Sequence, residues 1–397
     1  MSITLEVGGR RYGNWTNVEV TRSMDEVSGT FNFSAASDYK APFPIPRGQA
    51  VKVFVNNTQV LTGYVDRITV NYSAGSHELG IAGRDKTADI VDSKVDHKIE
   101  FTAPITLEDV AKQTLSSIGA NDIQVINKVS GLEPFVKGEL VSAAIGDTAF
   151  EFIDQYARKR QVVIATDGYG NLVFTRASTE STNMQLNNVV GGKSNTIKSG
   201  TVSYDDSDRF SEYTFYSQGN PAGDRDAEED SKQLTTRSGS YTDSEVRSSR
   251  KYHEIAESSS KEEPLEARAK WEGQIRKARS FSYQCEVVGH SPTDNGEAYS
   301  PNTLVNVRDD FCDVRDELLI VKVVYKLGSN TGSTTSLEML TKEAYSLLQR
   351  DKERHNRKDA SKETRTGPKP VDTNKYATAN AADAKALKEA VDRINKR

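Results

Sequence analysis

The stretch "DDFCDVRDELLI", residues 309–320, sets five carboxylates (Asp309, Asp310, Asp313, Asp316 and Glu317) around one thiol, Cys312. Such a cluster could hold a metal or supply catalytic acids. A calcium loop needs acids at alternate positions and a glycine for its sharp turn. No glycine is present, and Arg308 and Arg315 stand among the acids and would pair their charge. A zinc site needs several Cys or His at defined spacing, and Cys312 has no histidine near it in sequence. The stretch reads as a charged hairpin turn leading into the apolar run "LLIVKVV".

Other candidates fare alike. His77, His97, His253, His290 and His355 fall in five different elements and form no motif. Asp205, Asp206 and Asp208 in "YDDSDRFSEY" could hold a metal but read as a solvated turn. "DGYGN" (167–171) is a hairpin loop, and "VVGGKSNT" (189–196) lacks the spacing of a phosphate loop. No serine sits in a nucleophile elbow. The sequence offers no catalytic residue, no cofactor site and no metal site, and the expectation is a protein that is not an enzyme.

The elements that would carry these residues are mainly β. "TNVEVTRSM" alternates Val18 and Val20 with polar residues, and "GTFNFSA" alternates Phe31 and Phe33. "AVKVFVNN" and "GYVDRITVNY" continue the period of two, separated by Gly, Pro and Asn. Residues 1–92 are therefore expected to form a small antiparallel β-barrel. Residues 93–196 are a helical/β insert. Its first helix, in "PITLEDVAKQTLSSIG", takes Thr106 as N-cap, Asp109 as capping-box partner and Gly119 as stop. Its second, in "GDTAFEFIDQYARKRQ", takes Asp147 as cap, with Phe150, Ile153 and Ala157 aligned, and leads to two strands around the turn 167–171.

Residues 197–348 return to β. They include a long polar stretch, "GNPAGDRDAEEDSKQLTTRSGSYTDSE", expected to be a mobile loop, and a helix after Pro264 with Leu265, Arg268, Ala269 and Glu272 at helical spacing. "SFSYQCEVV" puts Phe281, Tyr283, Cys285 and Val287 on one face. The series "VEV", "FNF", "VKVFV", "GYVDRITVNY", "HELGIAG" matches "TVSY", "FSYQCEV", "LVNV", "LLIVKVVYKL", "TTSLEML" in order and loop placement. The fold class is thus α+β, mainly β: two similar barrels with an insert between them.

Composition bounds the function. The 397 residues are 36% hydrophobic and 27% charged, with a net charge of −5. Residues 349–397 hold 14 Lys and Arg against 8 Asp and Glu, so this tail carries +6 and the remainder −11. A general nucleic-acid binder would show a basic surplus. Neither a signal peptide nor an apolar run near the roughly 20 residues of a membrane span is expected. Two cysteines, Cys285 and Cys312, do not make a disulfide framework.

Four segments carry a family resemblance. "GYVDRITVNYSAGSHELGIAGRDKTADIVDS" (63–93), "GDTAFEFIDQYARKRQVVIATDGYGNLVFTRA" (146–177), "DRFSEYTFYSQG" (208–219) and "YSPNTLVNVRDDFCDVRDELLIVKVVYKL" (299–327) resemble, in order, the baseplate hub proteins of contractile-tailed phages of the Mu type. The likeness runs from about residue 3 to 345. Ser93 departs from it, since related chains often carry cysteine there. The resemblance implies a homotrimer whose six barrels form a ring, with the tail tube protein above and the central spike protein below. DNA would pass through without specific binding, and the protein would be a virion component assembled in the bacterial cytoplasm. The hub of a phage-derived secretion or bacteriocin particle shares these features. A glycan- or peptidoglycan-acting β protein of the cell surface is the alternative of another class.

The tail 349–397 stands apart. "QRDKERHNRKDASKETRTGPKPVDTNKY" reads as a flexible linker. In "ATANAADAKALKEAVDRINKR", Ala384, Leu387, Val391 and Ile394 recur at helical spacing, which predicts a short amphipathic helix. A helix that short needs a partner, either another tail protein, such as the spike or the tape-measure protein, or its own copies.

Overall fold

A computed structural model describes residues 2–36, 45–96, 99–136, 141–160, 162–216, 238–255, 265–292, 296–329 and 332–345. The predicted tail helix with Ala384, Leu387, Val391 and Ile394 lies outside them, as do the linker, Pro264, His97, His355 and residues 217–237 of the expected loop.

The first strands are β1 (Ile3–Val7), β2 (Arg10–Tyr12), β3 (Asn17–Ser23), β4 (Thr30–Ala36), β5 (Ala50–Val55), β6 (Thr58–Ser73) and β7 (Ser76–Asp85). The alternation seen in sequence places Val18, Val20, Phe31 and Phe33 inside. Helix α1 (Ala88–Asp92) lies before the span read as insert but packs Ile90 into the insert's core. The insert then holds β8 (Glu100–Phe101), α2 (Leu107–Ser117), β9 (Val125–Asn127), β10 (Val141–Ser142), α3 (Ala149–Lys159), β11 (Val163–Thr166) and β12 (Leu172–Thr175). There follow β13 (Gln185–Asn188), β14 (Ile197–Tyr204), β15 (Glu212–Tyr216), β16 (Ser238–Thr242), β17 (Lys251–Ile255), α4 (Leu265–Arg279), β18 (Phe281–Val288), β19 (Thr303–Asp309), β20 (Val314–Gly328) and β21 (Gly332–Leu340).

The architecture is mainly β, and the repeat is explicit in the pairing. One set runs β3-β4-β7-β6-β5-β1 and the other β14-β18-β21-β20-β19-β13. All pairs are antiparallel except β13 with β19. Both long strands carry a bulge at the same place: β6 slips against β7 between Val65 and Arg67, and β20 against β21 between Ile320 and Lys322. A shared bulge adds one unpaired residue and a bend at equivalent points, so it marks copies more strongly than strand order does.

The two sets are not independent of each other among the described residues. They join edge to edge into one 13-stranded sheet, because β20 pairs with β3 from Lys322↔Ser23 to Gly328↔Asn17. At 15 residues, β20 is long enough to serve β19 with its first half and β3 with its second. One apolar core runs through both sets, from Leu5 and Phe33 to Tyr283, Val323 and Leu337. Strand β13 lies within the span read as insert, yet it pairs with β19 and sends Leu186 into this joint core.

The insert has its own core, built on Val110, Leu115, Phe135, Phe152, Ile153 and Phe174. Helix α2 begins as expected, with the Thr106 side chain accepting from the Asp109 N–H at 3.1 Å. Helix α3 does not take Asp147 as cap. Thr148 caps it in a full capping box with Glu151, and Asp147 accepts instead from the Ala144 N–H at 2.8 Å. Thr148 has the extended φ and ψ of an N-cap and the Glu three residues on. Ile153 and Ala157 are buried as read, while Phe150 is half-buried and Phe152 and Tyr156 fill the core in its place.

The expected mobile loop is corrected at its far end. Ser238–Thr242 is a strand paired with Glu212–Tyr216, which also pairs in parallel with Lys251–Ile255. Helix α4 lies on this three-stranded sheet around the small core of Tyr213, Phe215 and Ala269. Gly273 lets the helix approach, since a Cβ there would come 2.7 Å from the Tyr241 ring. The strand "SGSYT" escapes a composition reading because its polar residues face out and Tyr241 alone packs inward. Among the described residues, no helix is long and apolar enough to cross a membrane.

Candidate functional site

The acidic hairpin between β19 and β20 is a structural node. Asp309 closes β19 and is fully buried. Its Oδ1 accepts from the Phe311 N–H (2.9 Å), the Cys312 N–H (3.1 Å) and Asn188 Nδ2 (3.0 Å), and its Oδ2 from the Tyr283 hydroxyl (2.6 Å). Burial alone would raise this carboxyl, but the four donors hold it below its ordinary value. Gly200 leaves room for the pair, since a Cβ there would lie 2.7 Å from both Asp309 Oδ2 and the Tyr283 hydroxyl. The Tyr283 hydroxyl is pushed up, first by burial and then by Asp309.

The other acids of the hairpin look elsewhere. Asp310 pairs with Arg315 (3.0 Å) and Arg308 (3.6 Å) and accepts from the Val190 N–H (3.2 Å). Asp316 accepts from the Glu317 N–H, Glu317 meets Ser181 and Lys342, and Asp313 takes a left-handed turn conformation (φ 52°). The carboxylates do not converge. Cys312 is half-buried beside Asp309 with its thiol pushed up by burial first and by Asp309 second, the opposite of an activated thiolate. Phe311, at the tip, is 89% exposed.

The second acidic stretch is likewise absorbed. Arg209 is buried and pairs with Asp206 (2.8 Å), Asp243 (2.7 Å) and Glu245 (2.8 Å). Asp208 pairs with Arg276 of α4, and Asp205 accepts from the Ser207 N–H. These bonds tie the small sheet to its helix. "VVGGKSNT" leads into strand β14 rather than a helix, so no helix N-terminus waits there for a phosphate. His290 is buried against Tyr325, bonds Thr335 through Nδ1 (3.0 Å), and is held neutral by burial, its pKa down to about 4. His253 is an exposed strand residue beside Tyr216. Among the described residues, no group of three or more His, Cys, Asp and Glu is arranged to hold a metal.

Two features escaped the sequence. The "DGYGN" turn docks the insert: the Gly168 carbonyl accepts from Gln59 (3.1 Å) and Thr62 (3.0 Å) of β6. A Cβ at Gly168 would lie 2.3 Å from the Gln59 carbonyl, so the contact requires glycine. The other is Asp85, buried at the end of β7, where burial pushes its pKa up to about 7 against bonds from the Thr87 N–H and hydroxyl (3.0 Å each). The Asp-x-Thr spacing of an Asx turn was its only local signal.

The described surface carries exposed apolar side chains. The distal half of β6 exposes Val70 (65%) and Tyr72 (83%), and β14 exposes Tyr204 (66%). Apolar side chains on sheet edges, together with the Phe311 and Ile145 tips, suit protein–protein contact rather than small-molecule chemistry.

Known proteins agree with this picture. Residues 2–85 match the family model of the Mu phage baseplate assembly protein GpP-like N-terminal domain, and residues 87–176 that of the second domain of baseplate hub protein gp44-like chains. The first span coincides with β1–β7 and the second with α1–β12. The chain is 30% identical to baseplate hub protein gp44 of Escherichia phage Mu over 362 residues, which covers 90% of this chain and 92% of that one. The chain belongs to the Mu-type baseplate hub family. The 43 kDa tail protein of prophage MuSo2 from Shewanella oneidensis has the same fold, with a TM-score of 0.73 at 27% identity over 88% of this chain and all of that one. A tail protein from Neisseria meningitidis superposes with a TM-score of 0.73 at 19% identity, covering 87% and 97% of the two chains. A Mu-type baseplate hub is a structural part of the phage tail and assembles there with other tail components.

Proposed function

We propose that three copies of this hub protein form a ring of pseudo-sixfold symmetry that joins the tail tube to the central spike and encircles the DNA path. The observation that carries the reading is the repeat. Each chain holds two strand sets of the same order with a bulge at the same site, so three chains present six equivalent units to a sixfold tube and three to a threefold spike. Cyclic assembly is the ordinary way to close such heterologous contacts. The role needs no catalysis, and the acids of the hairpin act in holding the fold. A charge of −11 on residues 1–348 fits a passage that does not retain DNA, because each phosphate neutralised by Lys or Arg would add salt-dependent affinity.

Light scattering on the full chain tests the ring. The expected mass is three times 43.8 kDa and holds at micromolar concentration, since obligate interfaces commonly bury about 2,000 Å² or more. A folded single chain at that concentration sinks the reading. The 30% identity to a phage protein favours a tail over a secretion particle.

A further inference from the structure

Within the chain, one edge of β20 is occupied along its whole length: β19 covers Val314–Ile320 and β3 covers Lys322–Gly328. The matching strand β6 is covered by β5 only over Thr58–Tyr64. From Arg67 to Tyr72, no strand pairs with that edge among the described residues. Burial follows the same split. Tyr325 is fully buried, while Val70, its equivalent five residues past the bulge, is 65% exposed. The strand equivalent to β3 is β14, which ends the sheet: it pairs with β18 and with no second strand among the described residues, and on its outer edge the Val202 N–H meets only the Cys312 side chain of the same chain. The chain thus carries one filled junction and both halves of an unfilled one.

We propose that β6 of one copy pairs antiparallel with β14 of the next, repeating between copies the β20–β3 junction found inside each. This rests on the ring reading above and names its contact. The filled junction sets the register. Tyr325 pairs with Val20 and Leu327 with Val18. Carrying both strands over through their shared partners puts Val70 opposite Val202, Tyr72 opposite Gly200 and Asn71 opposite Thr201. Ile68 then faces Tyr204, and Arg67 faces Asp205 just beyond the strand. The pairs suit each other: apolar residues meet apolar ones, an aromatic ring covers a glycine, and an exposed cation meets an exposed carboxylate. Pairing also removes two hydrophobic edges that would otherwise invite uncontrolled association. Because the contact is head-to-tail, each copy uses one edge of each kind, and the ring closes without leaving either open.

A cysteine pair tests the register. Asn71→Cys combined with Thr201→Cys in the full chain is expected, on mild oxidation, to give covalent dimers and a three-chain species on a non-reducing gel, reversed by reductant. Either substitution alone should give neither, which controls for the native Cys312. A second variant, Val70→Lys with Tyr72→Lys, alters only exposed positions and should keep the circular dichroism spectrum while the mass falls from three chains to one. A three-chain mass without crosslinking, or a trimer that survives both lysines, overturns the edge pairing and leaves the ring standing. A single-chain mass for the unaltered protein overturns the ring and this junction with it.

Discussion

The far halves of β6 and β20 are the same structure in two circumstances. Both follow a bulge, both pair with the next strand of their set, and both run seven residues past the bulge. In β20 those residues are more apolar and none is exposed: Val323 and Tyr325 are fully buried, and the Tyr325 hydroxyl donates to the Tyr299 carbonyl. In β6 the run "RITVNYS" is more polar and open to solvent. A repeat that is buried in one copy and exposed in the other teaches where the molecule is finished and where it awaits a neighbour. The sequence difference fits the circumstance, since a strand exposed before assembly tolerates fewer large apolar residues than one buried at folding.

The largest expected contrast comes from truncating the equivalent pair. Tyr325→Ala should destabilise the protein by about 4 kcal/mol, the cost of removing a large buried side chain. Val70→Ala should change the stability of the isolated chain by less than about 0.5 kcal/mol, as for exposed sites in general. Denaturant unfolding of both variants below the assembly concentration reads the contrast. Similar losses at the two sites would mean that β6 is already covered within a single chain.

The two sets also hold one buried carboxylate each, with opposite titration. Asp309 is satisfied by four donors and its pKa is lowered; Asp85 is satisfied by one residue and its pKa is raised to about 7. Asp309→Ala would leave the buried Tyr283 hydroxyl and two backbone N–H groups without their acceptor, a loss of about 3 kcal/mol. Because its folded pKa is depressed, the stability Asp309 supplies is present above the unfolded value near 4 and is lost as pH falls below it. Asp85 behaves in reverse. The folded state holds its proton more tightly than the unfolded chain, so stability falls as pH rises from about 4 to 7 and levels off above. Asp85→Asn keeps the acceptor oxygen for Thr87 and should flatten that slope. It should gain about 2 kcal/mol at pH 8, less than the roughly 4 that three pH units would allow, because the buried amide takes back part. Thermal unfolding from about pH 2 to 8 checks both signs, and a wild-type stability rising from pH 4 to 8 would contradict the assignment of Asp85.

Much of this was legible in sequence because period-two alternation reports a half-buried strand directly: Val18, Val20, Phe31 and Phe33 are inside as read. The repeat was legible for the same reason, since both strand series preserve order and loop placement. The joining of the two sets was not, because "KVVYKLG" carries no mark of which strand it will meet 300 residues away. Nor was the identity of the α3 cap, where Asp147 and Thr148 are both good capping residues and only backbone geometry chooses. The acid cluster was rightly taken for a hairpin, but a solvated turn would not bury Asp309. That burial depends on Tyr283, Asn188 and Gly200, which distant segments deliver. The small sheet with α4 was missed because Ser238–Thr242 is polar by composition and gains its place only from pairing with Glu212–Tyr216.

The smallest contrast separates the two cysteines. Cys285 pairs with Gly200 and Leu337, as Phe33 pairs with Val18 and Ile81, so it holds the core position that a phenylalanine fills in the first set. It is 4% exposed, and burial, with Asp309 second, pushes its thiol up to about 12. Cys312 lies at the half-buried turn, and its thiol is raised by the same two causes. Reactivity follows the thiolate and its access, so a thiol reagent at pH 8 should modify Cys312 slowly and Cys285 only on unfolding. Removing a single sulfur from a well-packed site is a small excision, and Cys285→Ala should cost about 1 kcal/mol. The ring tolerates that loss, because Cys285 faces the core and not an open edge, so the mass of the assembled protein should not change. Fast labelling of Cys285 in the native protein, or a fall in mass on its replacement, would show that this part of β18 opens in the assembled state and that the second strand set is less complete than the first.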